Sequence, residues 1–430
     1  MPVPTTPQHL VRPLLREEVY AALRADIVSG CLAPGASLNE EDIAARAGVS
    51  RAPVHEAVGM LAREGFVEVL PQKGTRVSRP SRRTTVDALV VLQYMARASL
   101  GSPLPSTSAA SMPGSGSRRT AADDGGRVSA LEVGGALRDI VATARNRTLD
   151  RAACAICEHL RWAEAVLPAV VQEIGMDPAT HDDLVAAIVE RDGERADAAM
   201  RAWRDQVLAP PPSRPLQAGR SIPRKLLRDQ VYASILDALA DGTLTAGDHL
   251  REDDLMTWLG VSRTPVKEAL NRLEMIGVVE MLAGRQALLP AFDPYRLGEA
   301  LEALAIFSDL ALCTVIPHMG DDARTLLIEH YDAMRDGATL GDFGAAISCF
   351  SAALLQLGEV SENATLNALM ASITPWLYKD VGVTLTGDVT RIADYGERMG
   401  AAVRRADGAE AAVLTSQLLR CSANALRAGG

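Results

Sequence analysis

The chain contains one short module twice. The stretch GVSRAPVHEA at residues 48–57 returns 212 positions later as GVSRTPVKEA at residues 260–269. Residues 15–70 and 227–282 align without a gap, and 24 of the 56 aligned positions are identical. An internal repeat of this length marks a structural unit that is used more than once. The chain must therefore fold as two copies of one small domain, together with the regions that lie between and after them.

Length and composition are those of a globular protein with several domains. A chain of 430 residues usually holds about two to four domains, and 48% hydrophobic with 23% charged residues is ordinary for a soluble core-forming protein. We find no unbroken apolar run of membrane-spanning length, no secretory signal pattern at the N-terminus, and only six scattered cysteines. We therefore expect a cytoplasmic protein with no membrane partner.

The net charge of −10 argues at first against a nucleic-acid partner. The acidity is unevenly distributed, however: residues 1–83 carry +2 and residues 210–293 carry −1, whereas residues 84–209 carry −4 and residues 294–430 carry −7. The two modules are thus close to neutral. Because a neutral domain can present a basic face, total charge neither supports nor excludes DNA binding.

Each module has the pattern of a winged helix-turn-helix. Apolar residues at helical spacing predict a first helix, and an acidic start predicts a short second helix at 40–47 and 252–259. Gly48 and Gly260 then break the chain before a third helix that runs to Gly65 or Gly277. Two short apolar runs around a glycine tip predict a hairpin after the third helix.

The remaining regions are predicted to be helical, so the fold class is mainly α. Residues 101–127 are rich in Gly, Ser, Pro and Ala and predict a flexible insertion, and a proline-rich stretch predicts a semi-rigid linker. The first helical region is therefore truncated or interrupted. The predicted domains are a winged helix-turn-helix at 12–80, a degenerate effector-like helical domain at 84–208, the linker at 209–223, a second winged helix-turn-helix at 224–292, and a helical effector or dimerisation domain at 294–428.

At GVSRAPVHEA and GVSRTPVKEA the sequence resembles the GntR family of bacterial transcription regulators, and the helical regions resemble the FCD effector domain of its FadR-type branch. The resemblance implies a DNA-binding regulator whose third helix enters the major groove while the wing touches the backbone or minor groove. The DNA contacts that it implies, with neighbouring and wing positions included, are Arg51, Ala52, His55, Lys73, Gly74, Arg76, Arg263, Thr264, Lys267 and Arg285.

The two modules differ at these positions. The planar fork of Arg51 and Arg263 can pair with a guanine edge or a phosphate. Thr264 can form a hydrogen bond where Ala52 cannot, so the second module is predicted to read DNA better. Glu41 and Asp253 stand where a further DNA-contacting arginine is found in the family, and both are expected to repel phosphate.

The metal site that the FCD resemblance implies has lost its ligands. Ile347 and Ser351 stand where an aspartate and a histidine are expected, and His181 is left without a histidine partner. We therefore predict no metal and no other cofactor. The residues predicted to line an effector pocket, for a small molecule such as an organic acid, are Phe350, Ser351, Trp376, Tyr395 and His181. Packing within an apolar core is the alternative for the aromatic ones.

We expect a transcription regulator whose two fused heads form an intramolecular pseudo-dimer on double-stranded DNA. One alternative is a ligand-sensing or interaction scaffold in which one or both heads no longer bind DNA. An enzyme dependent on pyridoxal phosphate is disfavoured, because it needs a Schiff-base lysine in a large α/β domain. Residues 294–430 are predicted to be helical and contain a single lysine, Lys379. The operator, the effector, the sign of regulation and a further homodimer stay open.

Overall fold

The structure is a computed structural model, and it describes residues 15–70, 74–100, 127–190, 192–207, 227–282, 286–291, 293–380 and 389–429. The predicted linker and all but Arg127 of the predicted insertion lie outside these residues. The chain divides into two compact units: residues 1–82 with 158–171 form unit 1, and residues 83–157 with 172–430 form unit 2.

The architecture is mainly helical, with two small sheets. The first half contains α1 (Leu15–Val28), β1 (Ser37–Leu38), α2 (Glu40–Ala47), α3 (Arg51–Arg63), β2 (Val67–Leu70), β3 (Gly74–Val77), α4 (Arg82–Leu100), α5 (Ala130–Thr143), α6 (Arg147–Val166), α7 (Pro168–Glu173), α8 (Pro178–Glu190) and α9 (Gly193–Val207). The second half contains α10 (Leu227–Ala240), β4 (His249–Arg251), α11 (Glu252–Leu259), α12 (Arg263–Met275), β5 (Glu280–Leu282), β6 (Gln286–Leu288), α13 (Pro294–Val315), α14 (Asp321–Leu340), α15 (Phe343–Val360), α16 (Ala364–Ile373), α17 (Val389–Arg404) and α18 (Gly408–Gly429), with 3-10 helices at Ile316–His318 and Thr374–Asp380.

Both modules adopt the predicted winged helix-turn-helix, which we call head 1 (residues 15–77) and head 2 (residues 227–288). Gly48 and Gly260 end α2 and α11 in the left-handed region, with φ of 66° and 64°. Each sheet also contains a third strand that the sequence analysis did not predict: β1 pairs antiparallel with β3, and β4 with β6. These strands are only two and three residues long, too short for an alternating pattern to be recognised.

The end of α6 completes the core of head 1 within unit 1. Trp162 is buried in the same apolar cluster as the helices of the head. Its ring centroid lies 5.3 Å from that of Phe66, and the His159 ring lies 4.6 Å from Phe66. Arg24 of α1 forms ion pairs with Glu64 and with Glu158. Head 1 therefore depends on a helix that begins some 70 residues after the head ends.

Head 2 shares its hydrophobic core with the C-terminal helices of unit 2. Ile347 of α15 and Tyr378 of the second 3-10 helix belong to the buried cluster of head 2, and Leu377 packs against it. The Trp376 indole donates a hydrogen bond to the Ile276 carbonyl at the end of α12, with an N–O distance of 2.7 Å. The third helix of head 2 is thus fixed at its C-terminal end by the helical region.

Within unit 2, the two halves of the repeat exchange matching hydrogen bonds. The Asn146 amide donates to the carbonyl of Glu299 (2.9 Å), and the Asn363 amide donates to the carbonyl of Asp87 (3.2 Å). Asp87 and Glu299 are 212 positions apart, which is the offset of the repeat. Each asparagine oxygen also accepts from a backbone N–H at the start of its own helix, α6 or α16. The contact is therefore reciprocal, residue for residue.

Two helices are long and apolar enough to cross a membrane by length and composition alone. One covers residues 294–318 and includes α13, and the other is α15. In the most apolar window of each, 72% and 56% of the residues are buried inside the structure. Core helices pass the same test, so burial explains their hydropathy.

The half-buried imidazole of His159 predicts a pH dependence for head 1. Burial, with a smaller contribution from Arg24, lowers the pKa of His159 to about 4. The unfolded chain binds a proton below pH 6.5 and the folded one does not, so the stability of unit 1 should be complete above pH 6.5. It should fall by about 3 kcal/mol as the pH drops to 4. Hydrogen exchange of the α3 amides from pH 7 to pH 4 measures this loss, and His159→Phe should reduce it. An equal loss in that variant would contradict the assignment.

Candidate nucleic-acid interface

The predicted DNA-contacting residues lie together on the exposed face of the third helix in each head. In α3, Arg51, Ala52 and His55 are exposed, while Val54 and Ala57 on the other face are fully buried. Arg263, Thr264 and Lys267 are likewise exposed at the start of α12. Because one face of the helix is packed in the core, the exposed side chains of its first turn are kept in a defined position. This is the arrangement that reading a groove requires.

Arg51 is paired with carboxylates of the preceding helix. Its Nη1 lies 2.8 Å from Oε1 of Glu41, and its Nη2 lies 4.0 Å from Oε2 of Glu40. The Nδ1 atom of His55 lies 2.9 Å from Oε1 of Glu40. The exposed start of α3 is therefore a small network of charged and polar groups.

Head 2 repeats this geometry. The Nη2 atom of Arg263 lies 2.8 Å from Oδ1 of Asp253, and its Nε lies 3.5 Å from Oε2 of Glu252. The side chain of Glu252 is only 5% exposed, whereas that of Asp253 is 74% exposed. Glu41 and Asp253, which we expected to repel phosphate, thus each neutralise part of the guanidinium charge on the third helix.

The wings differ more than the helices do. Arg76 donates through Nε and Nη2 to Oε2 of Glu68 at 2.8 and 2.6 Å, across the β2–β3 pair. Gly74 begins β3 with φ of 81°. Leu288 occupies the position of Arg76 in head 2. Lys73 and Arg285, the predicted wing tips, lie outside the described residues.

These exposed ion pairs leave each arginine able to bind a further partner. The side chain of Arg51 is 63% exposed and that of Glu41 is 67% exposed, and such pairs contribute about 0–1 kcal/mol to stability. A guanidinium carries five N–H donors, so two carboxylates leave donors over for an incoming acceptor. A guanine edge or a phosphate is such an acceptor. The contact of each predicted residue with DNA stays a prediction.

A small, partly open apolar cleft lies among the C-terminal helices. One residue of the predicted effector pocket, Phe350, lines it. The described residues around it are apolar except for one serine, and sequence reasoning missed most of them because they carry no chemical signature. They are Leu297, Leu301, Met334, Ala346, Ile347, Phe350, Leu377, Ile392, Leu418, Leu419 and Ser422.

The other four predicted pocket residues are placed elsewhere among the described side chains. Ser351 and Tyr395 are buried in the bundle without lining the cleft, and Trp376 contacts the end of α12. His181 lies on α8, where its Nδ1 is 3.8 Å from Asp182. The described part of the chain contains no group of three or more His, Cys, Asp or Glu residues that could hold a metal ion, and the absence of a metal stays a prediction.

The repeated module matches a known family at both positions. Residues 15–77 and 227–288 match the profile described as bacterial regulatory proteins, gntR family. An uncharacterized HTH-type transcriptional regulator in an unstable DNA locus of Streptomyces ambofaciens is 45% identical over 73 residues, which are 17% of this chain and 31% of that protein. The HTH-type transcriptional repressor RspR of Escherichia coli K12 is 40% identical over 67 residues, which are 16% and 29% of the two chains.

The chain thus spans about a third of the length of these relatives. Among solved structures, Escherichia coli McbR/YncC matches 47% of this chain and 98% of its own, with 18% identity and a TM-score of 0.39. This likeness is too low to carry an argument about the helical regions. The match to the family rests on the two heads, and it is consistent with the winged fold described above. The chain carries two GntR-family helix-turn-helix domains, one in each half.

Proposed function

We propose that the protein is a sequence-specific DNA-binding transcription regulator of the cytoplasm that reads double-stranded DNA with both heads. The observation that supports this most directly is the repeated geometry of Arg51 and Arg263. In each head an arginine stands at the exposed first turn of the third helix, with the family profile matched around it. Direct readout of a base edge needs this residue type at this place.

We further propose that the two halves form an intramolecular pseudo-dimer. A twofold interface is isologous, which means that residue i of one subunit contacts j of the other while j contacts i. The Asn146–Glu299 and Asn363–Asp87 hydrogen bonds follow this rule within one chain. Arg145 and Glu362, which precede the two asparagines, also share the same unusual φ of 51°. A fused pair of this kind supports the proposal that both heads bind DNA, and a two-half-site operator would then need no second copy of the chain.

Responsiveness to a small molecule is a second proposal, supported by the position of the apolar cleft. Ile347 and Leu377 line the cleft and also pack in or against the core of head 2. A ligand that moves either side chain therefore perturbs head 2 directly. The lining offers one hydroxyl, from Ser422, and no cation among the described residues. We therefore propose an uncharged apolar ligand in place of the organic acid expected from the sequence.

The alternatives make different predictions about DNA. A scaffold with inactive heads would bind DNA without sequence preference or not at all. An enzyme dependent on pyridoxal phosphate has no support from the comparisons, since the matched relatives are named as transcription regulators. The helical elements that follow head 2 also contrast with the large α/β domain that such an enzyme needs.

Removing either arginine should weaken operator binding. We expect Arg51→Ala and Arg263→Ala each to reduce affinity for a DNA site selected from a random pool by about tenfold to a hundredfold, the range of one bidentate base contact. Fluorescence anisotropy with the selected duplex measures this loss. Arg398→Ala, which removes an exposed arginine from α17, is the control. If only one of the two variants lost affinity, the proposal that both heads bind DNA would be wrong, while the proposal that the protein binds DNA would not be contradicted.

Substitution of either reciprocal asparagine should lower the stability of unit 2 to a similar extent. We expect Asn146→Ala and Asn363→Ala each to destabilise unit 2 by about 1–3 kcal/mol, because each leaves a buried or half-buried backbone N–H at the start of α6 or α16 without a partner. Denaturant unfolding measures this loss of stability.

The pseudo-dimer also predicts the stoichiometry on DNA. Native mass spectrometry of the wild type on the selected duplex should find one chain per two half-sites. Two chains per two half-sites would contradict the pseudo-dimer.

The cleft should prefer an uncharged probe. N-phenyl-1-naphthylamine and its sulfonated analogue 8-anilino-1-naphthalenesulfonate differ mainly in charge, and we expect the neutral one to bind more tightly. Ala346→Leu, which adds volume to the cleft wall, should abolish binding, while Ala409→Leu at an exposed position of α18 should not. Fluorescence titration measures both effects. Tighter binding of the sulfonate, or no effect of Ala346→Leu, would refute the ligand class.

A further inference from the structure

We propose that Glu41 and Asp253, supported by Glu40 and Glu252, are positioning residues that determine the sequence specificity of the two heads. They hold the guanidinium groups of Arg51 and Arg263 on one side, so that an incoming acceptor must use the donors that remain. The proposal rests on the proposed DNA-binding function and adds the residues that control its selectivity.

The main observation is that the same arrangement occurs twice. In both heads an acidic pair at the start of the second helix faces the arginine at the start of the third helix. The closer contact is 2.8 Å in each head, although it involves Glu41 in one and Asp253 in the other. The atoms also differ: Nη1 of Arg51 is used in head 1 and Nη2 of Arg263 in head 2. The pairing is therefore retained across a change of acidic residue and of the guanidinium nitrogen that makes the closer contact.

Because one carboxylate of each pair is exposed, its effect on DNA binding can be tested without disturbing the fold. Glu41 and Asp253 are 67% and 74% exposed, so their substitution leaves the cores of the heads untouched. Glu40 and Glu252 are the less exposed members of the two pairs, at 19% and 5%. They stand behind the arginines, and Glu40 also contacts His55. The exposed members are therefore suited to substitution, while the less exposed members stay in place.

The chemistry explains how a carboxylate favours a base over a phosphate. A phosphate attracts an arginine mainly by charge, and a neighbouring carboxylate both offsets that charge and repels the phosphate. A guanine edge is neutral and accepts two N–H bonds in a fixed geometry. It therefore gains from a guanidinium whose orientation is already set and loses less to the carboxylate. The paired carboxylate weakens nonspecific binding more than specific binding.

The test uses the full chain with Glu41→Gln and Asp253→Asn, singly and together. The probes are the duplex selected from a random pool and a duplex of unrelated sequence. We expect the variants to bind the unrelated duplex about three- to tenfold more tightly, with a steeper dependence of affinity on salt. We expect the specificity ratio to fall by about tenfold and the base preference at the contacted positions to broaden.

Two further variants serve as controls. Glu41→Asp places in head 1 the residue that head 2 carries naturally, and it should retain the wild-type base preference. Asp394→Asn removes the same charge from an exposed position of α17 and should leave both affinities unchanged. Denaturant unfolding of all variants should be close to the wild type, since the substituted residues are exposed.

The outcomes separate the two proposals. If affinity rises equally for both duplexes and base preference is unchanged, the carboxylates act only by repulsion and the positioning role is wrong. If Asp394→Asn has the same effect, net charge alone explains the result and the positioning role is again wrong. If the wild-type chain selects no sequence at all, the proposed DNA-binding function fails, independently of the carboxylates.

Discussion

Two asparagines organise the helical part of this protein. The side-chain oxygens of Asn146 and Asn363 each accept a hydrogen bond from a backbone N–H at the start of one helix. Their side-chain NH2 groups each donate to a backbone carbonyl of the other half of the repeat. A helix start that is buried needs such a partner. Because the same side chain also makes the cross-half contact, the fold of each half and its attachment to the other half are stabilised together.

The same correspondence extends to the junction of each head with the helical region. Asn146 and Asn363 are 217 positions apart, and so are His159 and Trp376. His159 lies near Gly65 at the end of the third helix of head 1, and Trp376 lies near Gly277 in head 2. Both glycines have positive φ, 81° and 73°, which allows the chain to turn beneath an aromatic ring. Each head is thus fixed at one equivalent point by a different ring.

The sequence predicted the heads well because their signals are local. The glycine turns, the acidic start of the second helix and the apolar spacing of the first each depend on neighbouring residues. The third strands, β1 and β4, could not be predicted, since pairing partners distant in the chain define them. From the sequence, the carboxylates at 40, 41, 252 and 253 were interpreted as residues suited to a helix dipole, and those at 41 and 253 also as charges that repel phosphate. Their contact with the arginines depends on how the two helices pack, which no local pattern contains.

The two helical regions differ at a position that forms part of the cleft wall in the second. Asp192 and Asp407 accept hydrogen bonds at the starts of α9 and α18 in the same manner, so these helices correspond with an offset of 215. Trp203 of α9 then corresponds to Leu418 of α18. Trp203 is almost completely buried, and its indole donates to the Ile174 carbonyl, whereas Leu418 forms part of the cleft wall. The two halves therefore differ in side-chain volume at this equivalent position, a buried tryptophan in one and a leucine of the cleft wall in the other. Ile347 and Leu377 of the same wall also pack in or against the core of head 2, so the cleft and head 2 share side chains.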